Sequence, residues 1–356
     1  MPRALSPARL PAALIGVTMP LMPVPILVSG SIAIDRIMNF EGRYVDKISA
    51  AKLDVLSISI FLESLKDCDG GNGATIAYTL ALLGEEPVLI GSVGKDGLLY
   101  MEKLAHLGVD ISHVHESKLA TASFNVITDS DQNQVGGFYP GAMADSDSLT
   151  FRPWKDANPI AVVSAHYPSA MRRLVAECKE FGIRLCYDIG QQVTNLPVED
   201  MRAGLEAATV LLMNEYELSV FSEKIGLSVD EIKAKVPVLI TTLGKNGSVI
   251  EGTAVPEAIK VGIAKPKQAG DPTGAGDTYR GGFLYGYARD WPLKACAQLG
   301  AVCASYAVET MESQAHTFTM EEVAKRYREA FNEELPIEVI EEETPIWQTT
   351  KLQISS

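Results

Sequence analysis

The chain lacks the cysteine and histidine spacing of a metal site. Its five cysteines (Cys68, Cys178, Cys186, Cys296, Cys303) form no paired set, and its five histidines include His113 and His115 but no HExxH. An odd cysteine count without a disulfide framework fits a reducing compartment, so a cytoplasmic location is expected. Basic residues are few: 31 Lys and Arg face 45 Asp and Glu, for a net charge of −14 and a pI near 4.9. That balance argues against a nucleic-acid backbone as partner. No apolar run is long enough for a membrane span, and no repeat or low-complexity tract occurs. Residues 1–22 carry Arg3 and Arg9, and their apolar run is broken by Pro11 and Pro20. They make a poor signal segment and read as a disordered or non-native extension, with Met19 and Met22 both ahead of the first clear strand. Residues 336–356 read as a peripheral acidic tail.

What remains is enough for a large core: 356 residues, 47% hydrophobic. From residue 26 onward, apolar β-runs alternate with helical patterns. Strands are expected at 26–30, 88–90, 160–165, 185–188, 210–213 and 238–242, and helices at 74–83, 98–107, 169–181, 278–287 and 293–309. Buried strands between helices predict an α/β fold with a doubly wound, mainly parallel sheet. Sites in such folds lie beyond the carboxyl ends of the strands. Two stretches break the alternation: about 39–65, polar and aromatic, and about 118–140, which contains a hairpin pattern. Together they suggest a small β-sheet lid.

The densest chemistry is in Asp271-Pro272-Thr273-Gly274-Ala275-Gly276-Asp277-Thr278. Small residues at a helix N-terminus let backbone N–H groups approach an anion, and the helix dipole favours one. A carboxylate at Asp277 suits a different task, accepting a proton from a hydroxyl that attacks phosphorus. A glycine turn with a capping Asp would explain the Asp but not the whole run.

This loop resembles the signature of the ribokinase-like (PfkB) family of carbohydrate and nucleoside kinases. Supporting motifs are Gly30-Ser31 with Asp35, Gly70-Gly71 before a helix, Asn214-Glu215-Tyr216-Glu217, and Thr242-Leu243-Gly244-Lys245-Asn246-Gly247. Within the family, Phe138-Tyr139-Pro140-Gly141-Ala142-Met143 and Tyr187-Asp188 followed by Gln191-Gln192 are similar to bacterial adenosine kinases of the mycobacterial type. The resemblance implies one kinase domain over residues 23–335, the lid included, with a homodimer through the lid as a further expectation.

It also implies roles. Asp277 would be the base for a 5′-hydroxyl, with Gly274, Ala275 and Gly276 as the anion hole. Asn214 and Glu217 would organise Mg²⁺ through water, and Asn214, Thr242, Gly244 and Gly247 would border ATP. Ser31, Asp35, Gly71, Asn72 and Thr75 would meet the sugar, Phe124 and Phe138 would sandwich a base, and Gln191 and Gln192 would contact the nucleoside. The implied reaction is phosphorylation of adenosine by ATP. A PfkB-type sugar kinase acting on ribose or fructose, and a nucleoside-binding protein without catalysis, stay open beside it.

Bland readings stand next to several of these. Asn214 and Glu217 have helix-cap spacing. The two phenylalanines fit a lid core, Gln191-Gln192 fits a polar loop, and Arg280 could face phosphate or be salt-bridged. One departure is clear: where relatives carry Asn after the Gly-Gly pair, this chain has Thr75, and Asn72 stands three residues earlier. Thr offers a hydroxyl where Asn offers both a donor and an acceptor.

Overall fold

Period and burial agree along the first strand. Leu27 packs to one side of the sheet, and Ile26 and Val28 to the other. The computed structural model describes residues 24–48, 54–131, 133–268, 270, 273–310 and 312–337. The expectations for residues 1–22, for most of the acidic tail, and for Asp271 and Pro272 therefore lie outside the described residues. In chain order the strands are β1 (Ile26–Ser29), β2 (Ala33–Asn39), β3 (Ser64–Gly70), β4 (Val88–Ile90), β5 (Ser92–Val93), β6 (His115–Glu116), β7 (Ala122–Thr128), β8 (Gln134–Tyr139), β9 (Ile160–Val163), β10 (Arg184–Tyr187), β11 (Ala208–Asn214), β12 (Val238–Thr242), β13 (Ser248–Glu251) and β14 (Ile259–Val261). The helices are α1 (Tyr44–Lys47), α2 (Asn72–Leu82), α3 (Leu98–His106), α4 (Pro168–Phe181), α5 (Val198–Ala207), α6 (Glu215–Ile225), α7 (Val229–Lys233), α8 (Ala275–Tyr287), α9 (Leu293–Val308) and α10 (Met320–Phe331).

The main sheet has eight strands in the order β14-β13-β12-β11-β10-β9-β1-β4. Pairings from β4 through β12 are parallel, and β13 and β14 add an antiparallel edge. One hydrophobic core lies under α2, α8, α9 and α10, and the other under α4, α5 and α6. This is the doubly wound, mainly parallel architecture expected from the sequence. The antiparallel edge was not legible, because β13 and β14 are short and follow no helix. Among the described residues no helix is long and apolar enough to cross a membrane.

A second sheet of four strands, β3-β2-β7-β8, stands apart from the first. Strands β7 and β8 form the expected hairpin, with Phe124 opposite Phe138. The other two lid strands flank the 39–65 segment rather than fill it: β2 starts soon after β1 ends, and β3 runs into the Gly70-Gly71 pair. Asp35 therefore sits inside the lid sheet, and not at the end of the first strand. In register, Asp35 is opposite Phe124, which is opposite Phe138. Directly opposed residues share a face, so these three side chains line one side of the lid.

Candidate active site

Five neighbouring parallel strands end on one edge of the main sheet, and each delivers a polar residue there. Ser31 follows β1, Ser164 follows β9, Asp188 follows β10, and Asn214 and Thr242 close β11 and β12. Backbone hydrogen bonds continue the ladder past the strands: Ser31 N–H donates to Ala165, Ser164 to Ser29, and Asp188 to Val163. Asn214 and Thr242 are register partners. The topology thus gathers residues from across the chain at the carboxyl ends, where open α/β sheets bind ligands.

Two helix N-termini meet at this edge. Helix α2 begins at Asn72, after Gly71 at φ +92°, where a Cβ would come within 2.5 Å of the Ser31 carbonyl. Only glycine allows that turn. Helix α8 begins at Ala275, after Gly274 in the left-handed region at φ +77°, and this N-cap glycine supplies no side-chain cap. Its first-turn N–H groups, including those of Ala275, Gly276 and Asp277, have no acceptor within the helix. The helices converge so closely that Asn72 Nδ2 donates to Asp277 Oδ1 at 3.0 Å. Ser31 holds Asn72 in turn: its Oγ donates to Asn72 Oδ1 at 3.2 Å and accepts from the Asn72 N–H at 2.9 Å.

The Asp277 side chain is 16% exposed. Burial lifts its carboxyl to about 6 against the pull of Arg280, with Asp188 and Asp35 adding negative potential and the Asn72 hydrogen bond opposing them. Burial likewise lifts Asp35 to about 6, while a hydrogen bond to Ser313 pulls it down. Arg280 is buried and salt-bridged to Asp188, which decides between the two sequence readings of that residue.

Thr75 is turned away. It is 1% exposed, and its Oγ1 accepts from Gln314 Nε2 at 3.1 Å. Gln314 also donates to the Tyr100 hydroxyl at 2.5 Å, and Tyr100 donates to the Gly70 carbonyl at 3.0 Å. Thr75 therefore belongs to a network behind the Gly-Gly pair, while Asn72 faces Asp277. Phe124 and Phe138 are 37% and 47% exposed, so neither is closed into a lid core. Gln191 is exposed in the turn after β10, and Gln192 Oε1 accepts from Asn195 Nδ2 at 3.3 Å. That turn approaches the site at Gly190, where a Cβ would lie 3.9 Å from Asn72 Nδ2.

Asn214 and Glu217 make a full capping box on α6: Asn214 Oδ1 accepts from the Glu217 N–H, and Glu217 Oε2 from the Asn214 N–H, both at 2.8 Å. A carboxylate and an amide have acceptor capacity beyond one bond each, so the box is compatible with outer contacts to a hydrated cation. Among the described residues no group of three or more His, Cys, Asp or Glu could hold a metal. That donor set fits Mg²⁺ held largely by water and substrate phosphates, and does not fit a closed protein cage. Gly244 and Gly247 bracket the tight turn after β12, which closes with Leu243 N–H donating to the Gly247 carbonyl at 2.8 Å. Asp188 and Ser164 were absent from the sequence-derived site. Asp188 stood only within the Tyr187-Asp188 motif, with no role attached, and the signal for Ser164 was a polar residue at the end of an apolar strand.

Comparisons with known proteins give the family. Residues 62–319 match the model of the pfkB family carbohydrate kinases. A nucleoside kinase of Methanothermobacter thermautotrophicus is 31% identical over 78% of this chain and 91% of its own length. One from Methanocaldococcus jannaschii is 30% identical over 83% and 94%. Among solved structures, a Burkholderia thailandensis nucleoside kinase in complex with inosine aligns with a TM-score of 0.79 and 29% identity, covering 87% of this chain and 99% of that one. These relatives do not specifically carry the expected likeness to mycobacterial-type adenosine kinases. With a glycine turn at Gly274–Gly276, a buried carboxylate behind it, and a family match over most of its length, the chain belongs to the PfkB family of carbohydrate kinases.

Proposed function

We propose that the protein is a nucleoside kinase that transfers the γ-phosphoryl group of ATP to the 5′-hydroxyl of adenosine, giving AMP and ADP. The observation that carries the reading is the Asp277 carboxyl, held near 6 by burial and oriented by Asn72 at the open N-terminus of α8. A base with that affinity is ionised at neutral pH yet basic enough to take a hydroxyl proton. The first-turn N–H groups of α8 stabilise charge on the transferred phosphoryl. Ser31, Asp35 and Asn72 bind ribose hydroxyls, Phe124 and Phe138 stack on the base, and Gln191 and Gln192 complete the nucleoside side. Thr242, Gly244 and Gly247 border ATP. Asn214 and Glu217 would hold Mg²⁺ through water, and the bound ion would neutralise phosphate charge.

The kinases named above support a nucleoside acceptor. A second reading, inosine as acceptor, is favoured by the Burkholderia relative solved with inosine. The reading includes a homodimer through the outer lid face, on which Leu65, Val135 and Tyr139 are 63%, 55% and 47% exposed. Sedimentation of a monomer at all concentrations would remove that part.

The test of function is an acceptor panel of adenosine, inosine, guanosine, cytidine, ribose and fructose with Mg–ATP, following ADP and the phosphorylated product. Adenosine should give the highest kcat/KM, and Asp277→Asn should lose about 10²–10⁴-fold in turnover. A preference for inosine would select the second reading. A preference for a free sugar, or near-normal turnover by Asp277→Asn, would overturn the assignment.

A further inference from the structure

Arg280 lies one turn beyond Asp277 on α8, is 6% exposed, and is fully engaged by acids. Its Nη2 donates to Asp188 Oδ1 at 2.7 Å, and its Nε stands 2.6 Å from Asp188 Oδ2, an ion-pair contact whose angle falls short of a hydrogen bond. Asp188 is itself fully buried and accepts from Ser164 Oγ at 2.6 Å. On its other side the guanidinium reaches back to the reacting end: Nη1 is 3.6 Å from Asp277 Oδ1. Gly276 makes room for it, since a Cβ there would lie 2.7 Å from Nη1. The ends of β9 and β10 thus grip the catalytic helix through one cation. A buried ion pair seldom adds net stability over apolar packing, so its presence here calls for another reason.

We propose that Arg280 is a positioning residue: seated on Asp188, its guanidinium stands beside Asp277 and keeps that buried carboxylate an anion able to accept a proton, while the charge of Asp188 tempers that pull. The inference rests on the reading of Asp277 as the base. Among the described residues the groups that face Asp277 are Arg280 on the same helix, Asp188 at the end of β10, Asp35 on β2, Glu217 on α6 and the neutral Asn72 on α2. Arg280 is the cation among them. Burial and the surrounding acids push the Asp277 and Glu217 carboxyls upward, and Arg280 opposes both shifts. Removing Arg280 should therefore raise the proton affinity of Asp277. Removing the charge of Asp188 should lower it, because Arg280 is then shared by fewer acids.

The experiment is the pH dependence of kcat/KM, at saturating Mg–ATP with the best acceptor of the panel, for Asp188→Asn, Arg280→Gln, the double variant and Arg280→Lys. Thermal denaturation is run in parallel. An opposite charge at this distance moves a carboxylate by roughly 1–3 pH units. The acid limb should move up by that order in Arg280→Gln and down in Asp188→Asn. In the double variant it should lie between wild type and Arg280→Gln, since Arg280 acts on Asp277 more strongly than Asp188 does. Arg280→Lys should keep the wild-type limb while losing kcat through its poorer fork. A purely structural pair would lower melting temperature without moving the limb in opposite directions, and that result overturns the proposal. If either single variant does not fold, the double variant, which leaves neither member of the Asp188–Arg280 pair without the other, decides alone: an unmoved limb rejects the inference. Failure of the base reading looks different. In that case wild type has no acid limb near 6, or Asp277→Asn keeps its turnover.

Discussion

Replacing Asn72 by Ala should change the pH profile of the enzyme more than its maximal rate. Asn72 Nδ2 donates to Asp277 Oδ1 at 3.0 Å, and that hydrogen bond helps to hold the Asp277 carboxyl down at about 6. A hydrogen bond to a charged group is worth about 1.5–3 kcal/mol. Since 1.36 kcal/mol corresponds to about one pH unit, the acid limb of kcat/KM should climb by roughly 1–2 units. At pH 6, where the wild-type base is half ionised, the variant should then retain about a fifth or less of wild-type kcat/KM. At pH 8 the effect from this source should be about twofold or smaller. Any contact between Asn72 and the ribose adds a loss that does not vary with pH, several-fold for about 0.5–1.5 kcal/mol. Initial rates from pH 5 to 9 at saturating Mg–ATP separate the two parts. An acid limb that stays in place, with only a uniform loss, would refute the claim that Asn72 sets the charge of the base.

Thr75→Asn should not improve nucleoside binding. The Thr75 hydroxyl is buried against Gln314, so a larger amide there disturbs the Gln314–Tyr100–Gly70 chain and should lower melting temperature; tighter binding by calorimetry would contradict this. Phe138→Ala should raise the KM for nucleoside by roughly tenfold with little change for ATP, since stacking on a base is worth about 1–3 kcal/mol; equal movement of both KM values would assign Phe138 to lid packing instead. Asp277→Asn should be more stable than wild type at pH 7. The folded-state value near 6 lies above the ordinary 3.8, so the ionised carboxylate costs stability above pH 6 and that cost fades as pH falls toward 4. Melting curves of the two proteins should differ by on the order of 3 kcal/mol at pH 7 and converge near pH 4; a constant gap would refute the linkage.

Much of this protein was legible locally. Apolar runs such as Ile160–Val163 and Val238–Thr242 have no partner requirement except burial on both faces, so composition and length reveal them as parallel strands. Gly274 to Asp277 could be read as an anion-binding turn, because backbone conformation and helix position depend on the residues themselves. The sequence also marked Thr75 as the departure from the pattern of relatives, with Asn72 three residues earlier as the nearby amide.

Contacts across long separations were not legible. The place of Asp35 within the lid sheet was not legible, because pairing with β3 and β7 extends Ala33–Asn39 into a strand that its own residues do not announce. Thr75 and Asn72 are both near the start of α2. Only the packing of α2 against α8 sends one to Gln314 and the other to Asp277. Asp188 and Arg280 are 92 residues apart, and nothing in either neighbourhood encodes the other. Local sequence determines which elements form and where a loop can cradle an anion. Which charges are buried together, and so how strongly a carboxylate holds its proton, depends on desolvation and Coulomb interactions that exist only once the strand ends and helices have met.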